Sequence, residues 1–184
     1  MYQSRTTISD FCFIAIMAAV TAVMAQISVP MPMGVPMTMQ TFAVTLAAII
    51  LGSKRGALAM LIYLLIGAVG VPVFSNFTGG IPSFVGPTGG FLVSFPIMAY
   101  LIGLGVELKS KYLFILFLIL GTISNYVVGV LFYMVITDSS VLAATAACVI
   151  PFLPTAVLKA VLASVFGIQV KKRIHLALQG AGKQ

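Results

Sequence analysis

One pattern dominates this sequence. A long apolar run ends in a short connection, and the connections alternate in kind. One carries Lys or Arg; the next carries neither. The runs lie at about 8–26, 39–53, 56–71, 89–107, 112–136 and 152–171. Hydrocarbon leaves no water to pair backbone N–H and C=O groups, and an α-helix pairs them within one segment. Runs approaching roughly 20 apolar residues are therefore read as spanning helices, the second and third being shorter than ideal. A further apolar stretch, 140–150, suits a half-helix or an interfacial piece.

The loop charges orient these spans. Arg5 precedes the first; Lys54 and Arg55 follow the second, Lys109 and Lys111 the fourth, and Lys171, Lys172 and Arg173 the sixth. The connections after the first, third and fifth hold no Lys or Arg. Six spans with both termini in the cytoplasm satisfy the positive-inside rule at every loop, and an odd number would break the alternation. The first span carries Asp10 and belongs to this regular pattern, so it reads as a retained helix rather than a cleaved signal. The expected fold is an all-α integral membrane protein of six transmembrane helices, N-in/C-in. It forms one membrane domain over 1–184, multi-pass in the cell membrane of a prokaryote.

Composition agrees. Of 184 residues, 61% are hydrophobic and 7% charged, more apolar surface than a soluble chain of this size can cover. The formal charge of +7 does not indicate nucleic acid, because the ten Lys and Arg are scattered in twos and threes between apolar runs. No Walker-type Gly-rich run and no His-Glu-x-x-His is present, and the single histidine, His175, falls in the basic tail. No metal or other cofactor is implied. Cys12 and Cys148 fall near opposite faces of the bilayer in this topology, which argues against a disulfide.

The uncharged connections are SVPMPMGVPMT, VPVFSNFTGGIPSFVGPTGG and VIPFLPT. Pro and Gly punctuate ordinary turns, but the middle loop is too long and apolar for a solvated connector. It reads as a re-entrant or lid-like segment over something on the outer side.

Lys159 sits inside the sixth apolar run, where a charge costs roughly 2.5–3.5 kcal/mol at full depth. One reading is snorkelling to the outer headgroups. The other is an anion site. The only acids are Asp10, Glu107 and Asp138, none in a span interior, and the outer side has no other Lys or Arg. Pro151 and Pro154 place a helix start just before Lys159, with Thr155 as a candidate cap, so free N–H groups and the positive dipole end would lie nearby. Such a site suits a carboxylate arriving from outside. Neutral polar groups near it are Gln40 and Thr41, Thr78 with Gly79 and Gly80, and Thr88 with Gly89 and Gly90. Ser124 and Asn125 serve either helix–helix hydrogen bonding or a ligand. In the first span, Ala15/Ala19 and Ala18/Ala22 are small-xxx-small pairs that permit close helix approach, inside the bundle or toward a partner.

Several of these segments carry a family resemblance. VPMTMQTFAVTLAAIILG (35–52), GVPVF (70–74), TGGIPSFVGPTGGFL (78–92) and PFLPTAVLK (151–159) resemble the BioY family, the biotin-binding S components of energy-coupling factor (ECF) transporters. The resemblance implies a transport subunit, not an enzyme, that captures biotin from outside. It implies association with a transmembrane coupling subunit and two ABC-type ATPases. The alanine pairs 15/19 and 18/22 would contact the coupling subunit, Lys159 would hold the valerate carboxylate, and the Thr78–Gly80 loop would cover the ligand.

Two positions depart from the family pattern. The last-helix motif P-x-D-x-x-K has Ala156 where the aspartate belongs, and Phe91 replaces a tyrosine after G-P-T-G-G. Losing the aspartate removes an acceptor for ureido N–H groups worth roughly 1.5–3 kcal/mol where the bond is made. Lipoate shares the valerate tail without those N–H groups, so it stays open beside biotin. A structural or assembly subunit without ligand is the alternative of another class. A membrane enzyme is disfavoured because no nucleophile–base set, acid pair or metal cluster is visible.

Overall fold

The computed structural model describes residues 8–32 and 34–181, with side chains through Ile174 and at Leu176. Arg5 lies outside the described residues, and so does the side chain of His175. The chain is built of helices: α1 (Ile8–Gln26), α2 (Gln40–Leu51), α3 (Ser53–Ala68), α4 (Pro82–Val85), α5 (Gly89–Glu107), α6 (Lys111–Thr137), α7 (Val141–Cys148) and α8 (Leu153–Ala181). Between α1 and α2 a two-residue antiparallel hairpin pairs β1 (Ser28–Val29) with β2 (Met37–Thr38). Short 3-10 turns occupy Ser75–Phe77 and Ile150–Phe152.

Among the described residues, four stretches are long and apolar enough to cross a membrane. They are α1, α5, α6 and the run Val141–Ile174, which contains α7 and most of α8. At 12 and 16 residues, α2 and α3 fall short of the roughly 20 that a span requires. Of the two, α2 is the enclosed one, whereas α3 exposes Leu58, Leu61, Leu65 and Ile66. In α2, Gln40, Phe42 to Thr45 and Ala47 to Ile49 are all buried. By contrast α6 turns Ile115, Ile119, Ile123, Val127, Leu131 and Val135 outward. A helix that is apolar on its outer face as well as its inner one needs lipid around it.

Small side chains set the helix crossings. Ala43, Ala47, Ala48, Ala59 and Ala99 are fully buried. A Cβ added at Gly56 of α3 would come within 3.1 Å of the Ala48 Cα in α2, and one at Gly121 of α6 within 3.0 Å of the Met98 carbonyl in α5. Such close approach is how helices associate where no hydrophobic force separates helix from lipid. Pro96 lies inside α5 and removes one ladder hydrogen bond. Asn125 of α6 braces that region, its Nδ2 donating to Ser94 Oγ at 2.7 Å and to the Phe91 carbonyl at 3.1 Å.

Charged groups gather at one end of the bundle. Arg55 pairs with Asp10 at 2.8 Å, joining α3 to α1. Glu107 closes α5 onto α3: its Oε1 accepts from Ser53 N at 2.7 Å, and both oxygens lie 2.9 Å from Ser53 Oγ. The carboxylate thus caps the N-terminus of α3, where negative charge is favoured. The opposite end carries the hairpin, the 69–88 connection and the α7–α8 turn. Cys12 and Cys148 are both free.

The α3–α5 contact supplies a stability test. Gly103 lies directly against the backbone of Gly52 and Ser53. Gly103→Ala should destabilise the protein by about 1–3 kcal/mol through overpacking, read as a lowered unfolding temperature in detergent. Gly86→Ala, where the new Cβ would meet its nearest atom at 3.4 Å, should leave that temperature unchanged.

Candidate functional site

A cavity of about 450 Å³ opens at the end that carries the hairpin and the 69–88 connection. Its wall comes from several segments. Val35 and Thr38 belong to the hairpin region, Gln40 and Thr41 to α2, and Phe74, Ser75, Asn76, Thr78 and Gly79 to the 69–88 connection. Phe91, Leu92 and Phe95 come from α5, Asn125 and Tyr126 from α6, Cys148 from α7, and Phe152 and Lys159 from the last segment. Among these lining residues there is no carboxylate and one cation.

That cation is Lys159, 9% exposed. Its Nζ donates to the Thr38 carbonyl at 2.9 Å. The ammonium therefore points into the protein and not toward the headgroups, which removes the snorkelling reading. The single ion pair seen among the described residues is Arg55–Asp10 at the other end. An ammonium has three donors, so two N–H groups of Lys159 remain for whatever enters.

From Thr38 a hydrogen-bonded series crosses the site. Thr38 Oγ1 donates to Gln40 Oε1 at 2.9 Å, Gln40 Nε2 donates to Tyr63 Oη at 2.7 Å, and Tyr63 Oη donates to the Val73 carbonyl at 3.0 Å. This ties α8, the hairpin, α2 and α3 to the 69–88 segment. That segment folds over the cavity. Phe74 is buried and meets Tyr63 and Phe84 edge-to-face at centroid distances of 5.5 and 5.4 Å. Gln26 clamps it from α1, donating to the Phe74 carbonyl at 3.0 Å and accepting from Phe77 N at 2.9 Å. Ser28 Oγ lies 2.7 Å from Asn76 Oδ1. Asn76 and Phe77 hold φ of 57° and 55°. A Phe in that region is uncommon, and backbone conformations of this kind persist where surroundings over-determine them.

The sequence-predicted residues separate on inspection. Lys159, Gln40, Thr78, Gly79 and Thr88 line the cavity. Gln40 is there largely as a brace, since both ends of its amide are engaged. Thr78 Oγ1 donates to the Ser75 carbonyl at 2.9 Å. Gly80, Gly89 and Thr155 are not in the wall. Gly80 has φ of 83° and its N–H anchors the lid to the Gly67 carbonyl at 2.7 Å, a turn that glycine permits. Gly89 packs against the Phe84 carbonyl. Thr155 is no cap: its hydroxyl turns back to the Phe152 carbonyl at 2.9 Å. The N–H groups of Phe152 and Leu153 both bond to the Val149 carbonyl, and Pro151 and Pro154 have none.

The alanine pairs also separate. Ala15 and Ala19 face outward, whereas Ala18 is buried in the core and Ala22 packs partly against it. Ala18 is thus occupied by the bundle interior and is not presented to a partner. Asn125 does both things the sequence allows, since its Nδ2 joins α6 to α5 while the residue lines the cavity. Tyr126, Asn76, Phe95 and Phe152 were missed. They are ordinary-looking residues that only tertiary packing brings to the wall, although a Tyr directly after Asn125 in an apolar run was a usable signal.

Ala156 does not reach the main cavity. It borders a small void of about 20 Å³ beside it, with Thr45, Thr122 and Ala160. Thr41, Asn125, Tyr126 and Lys159 are common to both spaces.

Comparison with known proteins gives a consistent result. A profile described as the BioY family matches residues 1–176. The biotin transporter BioY2 of Lactococcus lactis subsp. cremoris is 36% identical over 169 residues, covering 90% of this chain and 92% of that protein. The biotin transporter BioY of Thermotoga maritima is 39% identical over 158 residues, covering 85% of this chain and 92% of that one. In fold, the chain is similar to a crystal structure of the S-component for biotin from an ECF-type ABC transporter. The TM-score is 0.83 at 24% identity, over 94% of this chain and 95% of the other.

The Lys159–Thr38 bond can be tested without a ligand. Lys159→Met should speed amide exchange in the β1–β2 hairpin and at Met39 roughly tenfold or more, if this charge-assisted bond contributes about 1.5–3 kcal/mol. Unchanged exchange would show that the hairpin is held without the ammonium.

Proposed function

Since the chain belongs to the BioY family, we propose that it is the substrate-capture subunit of an ECF-type importer, taking biotin from outside by its carboxylate. It is a transport subunit and not an enzyme; ATP hydrolysis is placed on separate ATPase subunits. The observation that carries the reading is Lys159. It is a buried ammonium with no carboxylate partner among the described residues and two donors in the wall of a cavity. At about 450 Å³ the cavity falls within the range of small-molecule sites, ~300–1,000 Å³. Its wall combines Phe74, Phe91, Phe95 and Phe152 with Ser, Thr and Asn groups, matching a ligand with an apolar body, a polar head and one anionic end.

The proposed topology has six crossings. In it α2 and α3 pass through the membrane as a short hairpin packed against the longer helices, with α2 enclosed, α3 apolar on its outward face and the Lys/Arg-bearing end cytoplasmic. That orientation places every Lys and Arg connection inside and the cavity mouth outside. The exposed pair Ala15/Ala19 is the surface proposed for the transmembrane coupling subunit, which would link the chain to its two ATPases.

A second substrate reading rests on Ala156. With no carboxylate in the wall, ureido N–H groups must be met by neutral acceptors such as Asn125 Oδ1, Thr41 and Asn76. A dithiolane asks for none. Lipoate or another valerate-tailed acid therefore remains the alternative to biotin.

Equilibrium binding to the purified protein tests both points. Lys159→Ala should weaken binding of biotin at least tenfold, about 1.4 kcal/mol, while hardly changing that of its amide. Equal losses for acid and amide would sink the carboxylate role. Ala156→Asp should raise affinity for biotin relative to lipoate, because an acceptor is added next to Asn125. An unaltered ratio would show that position 156 takes no part in head-group choice.

A further inference from the structure

At the charged end, α2 stops at Leu51 while α8 continues to Ala181. Up to Gly167 the two helices are close: a Cβ at Gly167 would come within 2.9 Å of Ile49 Cγ2. Beyond that point α8 has no α2 beside it, and a groove of about 340 Å³ opens between α2, α5 and α8. Ile49, Val106, Ile168 and Leu176 form an apolar wall, completed by Lys171 and Lys172. No carboxylate lines it. Glu107, next to Val106, is engaged by Ser53 and its charge also acts on Lys171, so Lys172 carries the larger share of the uncompensated positive charge.

We propose that this groove holds one anionic phospholipid, an acyl chain lying along Ile49, Val106, Ile168 and Leu176 and the phosphate on Lys171 and Lys172. Charge and shape together select that occupant. A free phosphate makes no use of the apolar wall, and a zwitterionic lipid gains little from two adjacent ammonium groups. Juxtamembrane lysines gain about fivefold each from anionic headgroups. The groove also faces the surroundings directly, since Ile168 and Leu176 are more than half exposed. This site is separate from the outer cavity and does not depend on what that cavity binds.

The chain has no Trp, so Leu176→Trp provides a single reporter, with Ile168→Trp as a second should the first fold poorly. The reporter protein is placed in nanodiscs of phosphatidylcholine and phosphatidylglycerol in equal parts, one of the two brominated on its acyl chains. Brominated phosphatidylglycerol should quench the fluorescence more than brominated phosphatidylcholine. Lys171→Gln with Lys172→Gln should reduce that preference about 25-fold. Lys109→Gln with Lys111→Gln, an equal loss of charge at the same end, should retain it. Equal quenching by the two lipids, or equal loss in the two double variants, would overturn the proposal. So would competition by soluble glycerol phosphate, which would assign the lysines to a free anion. Absence of lipid preference in the isolated chain, combined with shielding of the reporter on assembly with the coupling subunit, would reassign the groove to that partner.

Discussion

An ammonium buried among uncharged groups is the constraint on which the cavity end of this protein depends. In a low-dielectric interior a charge needs partners or it is strongly disfavoured. Lys159 has one, the Thr38 carbonyl at 2.9 Å, and that carbonyl belongs to the hairpin between α1 and α2. The charge therefore fixes the position of β2, and through Thr38, Gln40 and Tyr63 that of the 69–88 segment. A series this short leaves little freedom. The hairpin, the 69–88 segment and the lysine form one hydrogen-bonded unit.

The rest of the bundle supports that unit by being tightly built. Alanines and glycines at the crossings of α2, α3, α5 and α6 bring backbones close, so the inner helices hold their spacing under an apolar coat. The two ends then differ in chemistry. At one end Arg55 pairs with Asp10, and Glu107 closes α5 onto α3 through Ser53. At the other, one cation and neutral polar groups line an open cavity. In the proposed importer, the first end would face the energising machinery and the second would face the substrate.

Much of this was legible from residues alone. Apolar runs imply helices because hydrocarbon leaves the backbone no other partner, and the helical, membrane-embedded class followed. Lys159 stood out because charge is expensive in an apolar run, and the 69–88 segment because it was too apolar for a solvated loop. What was not legible depends on direction. Nothing in PFLPTAVLK shows that the Thr155 hydroxyl turns back on its own helix, or that α7 runs through a 3-10 turn into α8 so that the first N–H groups are taken. Spacing made Ala15/Ala19 and Ala18/Ala22 equivalent, whereas helix rotation buries Ala18 and exposes the other pair. Gly80 and Gly89 looked like ligand-loop glycines and prove to be a turn and a packing contact. The short helices α2 and α3 show the limit of counting crossings by length, because at 12 and 16 residues neither reaches the length of a full span.

The central claim is that the ligand completes the charge balance of Lys159. A ligand-bound structure with biotin tests this most directly. The expected result has one carboxylate oxygen of biotin within hydrogen-bond distance of Lys159 Nζ, Thr38 still bonded to the same ammonium, and the ureido ring among neutral acceptors of the cavity. A structure with the carboxylate under the 75–79 turn and the ureido ring on Lys159 would contradict it.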